Sequence, residues 1–227
     1  MTLPLFAFAR TVLNTAYRMV YPFLGVFARA LGVDLATMSL ALSLRSIGGG
    51  ILPFIASIAD YRGRKFGMLL GLGIFSFSMA LVTFFPTFPV LVASLFLATL
   101  AKYIFDPAMQ AYLGDRTSYD QRGRVIAITE LGWSLAFVLG VPLIGFLIAR
   151  LGWIAPFPLL LGLGILTFVL IWINIPNDGT NAVQPATVKH NFGRVFKSVP
   201  AMESLSITLW AIIGNELINL IFGVWLE

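Results

Sequence analysis

Long apolar segments recur along this chain, and they restrict its fold more than any other feature of the sequence. Seven of them approach the ~20 residues that an α-helix needs to cross a bilayer, at about 5–30, 38–59, 66–85, 89–113, 124–149, 152–173 and 205–226. The chain is 59% hydrophobic and 11% charged, whereas soluble domains are roughly 45–50% apolar and about 25% charged. The alternating pattern of membrane β-strands is absent from the sequence, and the backbone must satisfy its own hydrogen bonds in lipid. The sequence therefore predicts an all-α fold, a polytopic bundle of membrane helices.

One connection between these segments is long and polar. Residues 174–204 are rich in Pro, Gly and Asn, whereas the earlier connections are short. We therefore expect three parts: a six-helix transmembrane bundle at 1–173, a cytoplasmic linker at 174–204, and a further membrane helix at 205–227.

Lysine and arginine are concentrated in alternate connections. Arg29 and Arg150 lie on one side, and the other side carries Arg62, Arg64, Lys65, Arg116, Arg122, Arg124, Lys189, Arg194 and Lys197. Basic loops remain in the cytoplasm, so we expect a cytoplasmic N-terminus. The sequence has no Asn-x-Ser/Thr acceptor, so we expect a multi-pass inner-membrane protein of a prokaryotic cell.

Several functions conflict with this composition. The formal charge of +5 arises from loop residues that orient the protein in the lipid bilayer, so no nucleic-acid partner is expected. The chain has no cysteine, and its single histidine, His190, lies in the polar linker. Neither a nucleophilic triad nor a thiolate or histidine metal site can be assembled within the segments, and we expect no enzyme activity, cofactor or metal. A seven-helix receptor is less favoured because its N-terminus would lie outside.

The connection between the second and third segments carries a recognisable motif. It contains Asp60, Gly63, Arg64 and Lys65 in the order D-x-x-G-R-K, with Ala56 four residues before the aspartate. This resembles the G-x-x-x-D-x-x-G-R-K signature of the major facilitator superfamily, with alanine in place of the first glycine. The resemblance implies the N-terminal six-helix half of a twelve-helix transporter, followed by the seventh helix.

The connection between the fourth and fifth segments resembles a second part of the same family's pattern. It includes Asp115, Arg116 and Arg122. In the family these loops pair, which implies a cytoplasmic latch formed by Asp60, Gly63, Arg64, Lys65, Asp115 and Arg122, with Arg64 facing Asp115. The alternative is that these charges only set the topology. An exposed ion pair contributes about 0–1 kcal/mol, so a latch would bias a two-state equilibrium without holding the fold together.

The fifth segment contains Gly132, Gly140, Pro142 and Gly145, which partly resemble the glycine-proline motif of the family's antiporters. Together these resemblances imply secondary active transport of a small-molecule substrate by alternating access, with a proton as the favoured coupling ion and export as the favoured direction. The chain stops at Glu227, after the seventh segment. We expect a fragment of a longer transporter or a half-transporter that needs a homodimer partner.

Charged residues inside the apolar segments are the candidate site residues, because a charge at the centre of a membrane helix costs about 2.5–3.5 kcal/mol. Helical spacing places Asn14, Tyr17, Arg18 and Tyr21 on one stripe. The candidate substrate cavity is lined by Asn14, Tyr17, Arg18, Tyr21, Arg45, Lys102, Asp106, Gln110, Trp133, Asn215, Glu216 and Asn219. The carboxyl groups suited to proton coupling are Asp106, Glu130 and Glu216. A purely structural ion pair between Lys102 and Asp106 is the alternative.

The first and seventh segments share a weak repeat. Aligning Gly223-Val224-Trp225-Leu226 with Gly25-Val26-Phe27-Ala28 places Glu216 over Arg18. The two side chains are therefore expected to pair across the cavity. In the alternative, Arg18 binds an anionic substrate directly, and the protein is an anion or organophosphate exchanger.

Overall fold

The computed structural model describes residues 3–43, 63–177 and 198–225, and every regular element in these residues is helical. The all-α prediction is therefore confirmed. The helices are α1 (Leu3–Arg18), α2 (Leu24–Leu31), α3 (Leu35–Ser43), α4 (Arg64–Phe84), α5 (Phe88–Arg116), α6 (Tyr119–Leu135), a π-helical segment (Ala136–Gly140), α7 (Val141–Leu151), α8 (Pro156–Asn174) and α9 (Val199–Trp225).

The chain divides into two compact units, Met1–Val183 and Gln184–Glu227. Helices α1–α8 belong to the first unit and α9 to the second. Most of the expected linker at 174–204 lies outside the described residues. Helix α9 begins before the expected start of the seventh segment, at Val199. Pro200 follows at once, and proline suits the first turn of a helix because its missing N–H has no partner there.

Four helical elements in the described residues are long and apolar enough to cross a membrane. They are α4, α5, the continuous stretch Tyr119–Leu151 and α8. The pair of helices α2 and α3 is bent by 116° at the break between them. The pair makes a fifth spanning element only if the two helices form one span. The expected third to sixth segments therefore correspond to helices of spanning length.

The first expected segment is not one helix across 5–30, and that prediction was wrong. Helix α1 ends at Arg18, and α2 begins only at Leu24. Pro22 explains the break, because proline has no N–H to donate to the carbonyl of Arg18 and its ring would clash with that carbonyl. The N–H of Tyr21 donates to the Arg18 carbonyl instead, at 3.3 Å. The helical stripe expected from Asn14 to Tyr21 therefore ends with α1.

Close helix contacts hold the first unit together. Helix α4 packs against α5 and α8, and α1 packs against α6, the π-helical segment, α8 and α5. Their shared core contains the fully buried side chains of Phe6, Met68, Phe75, Phe105 and Phe157. Lipid cannot drive these helices together through the hydrophobic effect, so van der Waals contact at small residues must supply the packing.

The glycines of the fifth segment face α1 and the turn that follows it. A Cβ added to Gly132 would lie 2.7 Å from Arg10 Cβ, one added to Gly145 would lie 3.0 Å from a ring carbon of Phe23, and one added to Gly140 would overlap Thr15. These glycines therefore serve close packing, whatever else they do.

A π-helical turn interrupts the same segment just before Pro142. The N–H of Val141 donates to the carbonyl of Ala136, five residues back, instead of to the carbonyl four residues back. Pro142 cannot donate a backbone hydrogen bond, so the helix passes this position through a wider turn without ending.

The contact between α1 and α6 gives a test of this packing. We expect Gly132→Ala to destabilise the protein by about 1–3 kcal/mol, because overpacked interiors force neighbouring atoms to move. The new methyl group would also lie 2.8 Å from the Ala7 carbonyl oxygen. Gly162→Ala is the matched control, since nothing lies within 4 Å of the added carbon. Alanine there should gain about 0.5–1 kcal/mol of helix stability. Thermal unfolding of the purified protein in detergent measures both, and equal melting temperatures for the two variants would contradict the packing argument.

Candidate functional site

Four charged side chains from three helices form a cluster inside the first unit. Arg10 of α1 lies between Glu130 of α6 and Asp106 of α5. Arg10 Nη1 donates to Glu130 Oε1 at 2.5 Å, and Arg10 Nε lies 3.4 Å from Asp106 Oδ1. Lys102 Nζ contacts Asp106 Oδ2 one turn away on α5. The two cations and two carboxylates balance, so the cluster carries no net charge when all four are ionised.

The two contacts of Arg10 differ in quality. The contact with Glu130 is a hydrogen bond, whereas Arg10 Nε and Asp106 Oδ1 are within ion-pair distance without a hydrogen bond in the described residues. A guanidinium can bind two carboxylates because its five donors form a planar fork. Arg10 therefore holds Glu130 more firmly than Asp106, and Lys102 supplies the hydrogen bond to Asp106.

Burial makes this cluster energetically important. The side chains of Arg10 and Lys102 are 6% and 9% exposed. Removing one partner from a buried ion pair costs about 3–5 kcal/mol, because the remaining charge is left uncompensated. The three helices that carry these residues are thus linked electrostatically as well as by packing.

A second feature lies beside Lys102. The guanidinium carbon of Arg18 lies 3.8 Å from the ring centre of Trp133 and 4.3 Å from that of Phe137. Lys102 Nζ lies 5.4 Å from the centre of the Trp133 ring, and Tyr17 packs against this ring with 6.5 Å between ring centres. Trp133 therefore connects the charged cluster to Arg18. Phe137 belongs to the π-helical segment, which places its ring beside Arg18.

Asn14 lies on α1 one turn from both Arg10 and Arg18. It is fully buried, and neither its amide nitrogen nor its amide oxygen has a hydrogen-bond partner among the described residues. Buried amides are nearly always hydrogen-bonded, so such a group often marks a place for water or ligand. The stripe on α1 thus carries Arg10, Asn14 and Arg18 in succession.

The structure brings together part of the predicted substrate cavity. Asn14, Tyr17, Arg18, Lys102, Asp106 and Trp133 lie in or beside the two features above. Tyr21 lies in the turn after α1 and is 40% exposed. Gln110 lines a cavity of about 250 Å³ that Glu130 also lines. Arg45 and the side chains of Asn215, Glu216 and Asn219 lie outside the described residues, so the pairing of Arg18 with Glu216 stays a prediction.

The predicted latch residues that the structure describes lie at the start of α4, at the end of α5 and near the start of α6. Arg64 Nε is 3.6 Å from Asp115 Oδ2, and Lys65 Nζ donates to the carbonyl oxygen of Trp172 at 2.8 Å. Gly63 has φ 99°, which favours glycine, and it precedes α4 directly. Asp60 lies outside the described residues. The structure thus brings Arg64 and Asp115 together.

Arg122 differs in role from the other latch residues. Its guanidinium donates to the carbonyl oxygens of Gly114 at 3.2 Å and Thr117 at 3.4 Å. These carbonyls lie at the C-terminal end of α5, where a cation is favourable for the helix dipole. Arg122 therefore caps α5 from the start of α6.

Sequence reasoning missed Arg10 as a site residue and treated it only as an interruption of the first apolar segment. A signal was present, because Arg10 precedes Asn14 by four residues and extends the stripe of Asn14 and Arg18 by one turn. Its partner Glu130 lies 120 residues away in the sequence. No periodicity along one helix could identify that partner.

A family model described as Major Facilitator Superfamily matches residues 6–227. The chain belongs to the major facilitator superfamily. The resemblance drawn from the D-x-x-G-R-K motif is therefore confirmed.

Bacterial superfamily members are similar in sequence. An uncharacterized MFS-type transporter, YwfA of Bacillus subtilis, is 29% identical over 136 residues, 60% of this chain and 33% of the relative. Inner membrane transport protein YdhP of Escherichia coli is 23% identical over 160 residues, 70% of this chain and 41% of the relative. Quinolone resistance protein NorA of Staphylococcus aureus is 26% identical over 167 residues, 72% and 43% of the two chains. The chain thus spans less than half the length of these relatives.

Solved structures of superfamily members share the fold. The POT family transporter PepTSo superposes with a TM-score of 0.66 at 14% identity and covers 79% of this chain and 39% of its own. The human organic anion transporter MFSD10 gives a TM-score of 0.57 at 22% identity, covering 78% and 47%. At these identities the similarity concerns the fold alone.

The charged cluster generates a prediction about stability. We expect Arg10→Met to lower the free energy of unfolding by about 1–3 kcal/mol, because Glu130 and Asp106 lose a shared partner while Glu130 is half-exposed and Asp106 keeps Lys102. The double variant Arg10→Met/Glu130→Gln should lose less than the sum of its single variants, with a coupling of about 0.5–3 kcal/mol. Denaturant unfolding of the four proteins in detergent measures the cycle.

Asp120→Asn provides the control cycle with Arg10→Met. Asp120 is exposed in the first turn of α6, away from the cluster. Its effect should therefore add to that of Arg10→Met. If the effects of Arg10→Met and Glu130→Gln on the free energy of unfolding are also strictly additive, the Arg10–Glu130 contact contributes nothing to stability.

Proposed function

We propose that this chain forms the N-terminal part of a secondary active transporter that exports a small organic solute in exchange for protons, by alternating access. The observation that carries the proposal is the cluster of Arg10, Lys102, Asp106 and Glu130 next to Arg18 and Trp133. Ionisable groups inside membrane segments mark ion and substrate pathways. The missing half comes from the rest of a longer chain or from a second copy.

Protonation of the cluster supplies the coupling. With all four groups ionised the cluster is neutral, and one proton on Asp106 or Glu130 leaves it with one positive charge. Arg10 then loses one of its two carboxylate partners, which weakens the electrostatic link between α1 and either α5 or α6. A proton can shift a conformational equilibrium only by binding two conformations with different affinity. A link between helices that depends on protonation provides that difference, and Glu216 is the further candidate on α9.

The substrate site is proposed beside the cluster, around Arg18. The aromatic rings of Trp133, Phe137 and Tyr17 offer flat apolar surface, and the buried amide of Asn14 offers a donor and an acceptor. Such a surface suits a planar organic molecule that carries a polar group. The similarity to a quinolone resistance protein supports export of compounds of that kind.

The pair of Arg64 and Asp115 is proposed to act as the latch between conformations. Their side chains are 26% and 63% exposed, so the contact contributes about 0–1 kcal/mol after solvent screening. A contribution of that size leaves the fold intact when it is lost and still changes the ratio of two conformations severalfold.

An anion exchanger is the second candidate. Arg18 is held against two aromatic faces near the middle of the bundle, and a guanidinium binds carboxylate or phosphate groups through paired hydrogen bonds. In that mechanism the substrate anion, and not a proton, would be exchanged. The two candidates therefore differ in their dependence on Asp106.

Transport in everted membrane vesicles distinguishes these candidates. We expect norfloxacin, a quinolone, to release protons from energised vesicles that contain the protein, as reported by a fluorescent pH-gradient dye. Asp106→Asn should reduce the signal by about 100-fold, because a positioned proton-transferring group contributes roughly 10²–10⁴-fold. Asp120→Asn, a carboxylate outside the cluster, should leave it unchanged. Organophosphate exchange that survives Asp106→Asn and disappears in Arg18→Lys would replace the proposal with the anion exchanger.

Orientation in the inner membrane is a separate expectation. The chain has no cysteine, so single cysteines can be introduced without background. Thr87→Cys lies between α4 and α5, and Asp120→Cys lies just after the α5–α6 turn. A membrane-impermeant maleimide should label Thr87→Cys in intact cells and Asp120→Cys only after the cells are opened. Labelling of both in intact cells would contradict a cytoplasmic N-terminus.

A further inference from the structure

The two carboxylates that share Arg10 differ in access. The side chain of Glu130 is 49% exposed, and that of Asp106 is 15% exposed. Glu130 also lines the cavity of about 250 Å³ between α5 and α6, and Asp106 is absent from its wall. The rest of the wall comes from Gln110, Leu113, Gly114, Thr117, Arg122, Val125, Ile126 and Thr129.

This cavity lies at the α5–α6 turn. Gly114 belongs to the last turn of α5, and Thr117 directly follows that helix. Arg122 belongs to the first turns of α6. Its wall is polar at Gln110, Thr117, Arg122, Thr129 and Glu130, which gives water several hydrogen-bonding partners. Glu130 is therefore the one member of the cluster that also faces a space suited to water.

We infer that Glu130 and Asp106 act in series, with Glu130 as the station that exchanges protons with water in the cavity and Asp106 as the inner station reached through Glu130. Arg10 is the positioning residue that keeps the two carboxylates on either side of one guanidinium. The inference rests on the proton coupling proposed above and assigns the order of its steps.

The proton balance of this relay is simple. A hydronium ion in the cavity gives its proton to the Glu130 carboxylate and becomes water. The neutral Glu130 carboxyl then passes that proton to the Asp106 carboxylate through hydrogen-bonded water around the guanidinium, and becomes an anion again. Arg10 keeps all its protons, as arginine does in proteins. The net result is one proton moved from cavity water to Asp106, and the reverse sequence releases it.

The charged surroundings of both stations are set by three helices. Glu130 faces Arg10 from α1 and shares the cavity wall with Arg122 of its own helix and the neutral Gln110 of α5. Asp106 faces Arg10 and Lys102. Helix α8, which also packs against α1, contains no ionisable residue. Among the described residues, the charged side chains named beside the two stations are therefore all cationic.

The inner station communicates with the proposed substrate site. When Asp106 becomes neutral, Lys102 loses its carboxylate partner, and its amino group already lies 5.4 Å from the centre of the Trp133 ring. The ring of Trp133 also stacks on Arg18. Protonation of Asp106 thus changes the electrostatic field one contact away from Arg18, whereas protonation of Glu130 is felt there only through Arg10.

Time-resolved infrared spectroscopy of the purified chain in lipid nanodiscs tests the order. After a rapid drop in pH, each carboxylate that takes up a proton gains a carboxyl C=O band, and ¹³C-labelled aspartate separates the Asp signal from the Glu signal. The Asp106 and Glu130 bands are the parts of these signals that Asp106→Asn and Glu130→Gln remove, because the chain has further Asp and Glu residues. We expect the Glu130 band to appear before the Asp106 band. Glu130→Gln should slow the Asp106 band by about 100-fold, in line with the loss of a positioned proton-transferring group. Asp106→Asn should leave the rate of the Glu130 band unchanged.

A second pair of variants leaves every charged group in place. Val125→Phe puts a larger ring into the cavity wall and should slow both bands. Val138→Phe introduces the same ring on the exposed surface of the π-helical segment and should slow neither. If Glu130→Gln proves unstable, slowing of both bands by Val125→Phe, with no slowing by Val138→Phe, still supports the inference.

Two results would overturn the relay. One is an Asp106 band that rises equally fast with and without Glu130, and the other is a set of acidification spectra that Asp106→Asn and Glu130→Gln leave unchanged. These readouts do not depend on solute movement. Ordered protonation in a protein that exchanges no solute for protons would therefore remove the proposed function alone, and proton-coupled transport without this order would remove the relay alone.

Discussion

The contact of one arginine with two carboxylates is the interaction on which the rest of this unit depends. Arg10 joins α1 to α6 through Glu130 and to α5 through Asp106, and it does so with a side chain that is 94% shielded from solvent by its neighbours. Without it, the two carboxylates on these helices would lack their shared counter-ion. The site around Arg18 inherits its geometry from the same contact, because Lys102 and Trp133 lie on the helices that Arg10 holds together.

Packing and electrostatics cooperate at this point. Gly132 comes two residues after Glu130, and its missing side chain lets the backbone of α6 approach Arg10 and Ala7 of α1. That approach brings the guanidinium within 2.5 Å of the carboxylate. In lipid neither effect would suffice alone, since small residues give contact without specificity and unpaired charges destabilise a membrane helix. The glycine allows the ion pair to form, and the ion pair favours this register of the two helices.

Sequence reasoning predicted the elements of this fold better than their contacts. Apolar length alone located the helices that the structure shows as α4, α5 and α8, and the D-x-x-G-R-K motif identified the superfamily. Helical spacing also placed Asn14 and Arg18 on one face. It could not show that Arg10 meets Glu130, because the rotation of α6 against α1 depends on glycine contacts between distant segments. Pro22 predicts that α1 ends at Arg18. The expected segment at 5–30 missed this end because it was based on apolar residues alone.

The π-helical turn before Pro142 has a consequence for insertions and deletions in related chains. It contains one residue more than an α-helical turn would hold, so it sets the rotational phase between Trp133 on one side and Gly145 on the other. Deleting a single residue between 136 and 140 would restore regular α-helix and leave α6 and α7 in nearly the same rotational phase, because the wider turn already accommodates the extra residue. In a regular α-helix the same deletion would rotate the following residues by about 100° and shift them by about 1.5 Å along the axis. Gly145 would then turn away from Phe23, and a bulkier neighbour would take its place. The π-helical segment is therefore a place where related chains can differ in length by one residue and still keep the Gly145 contact.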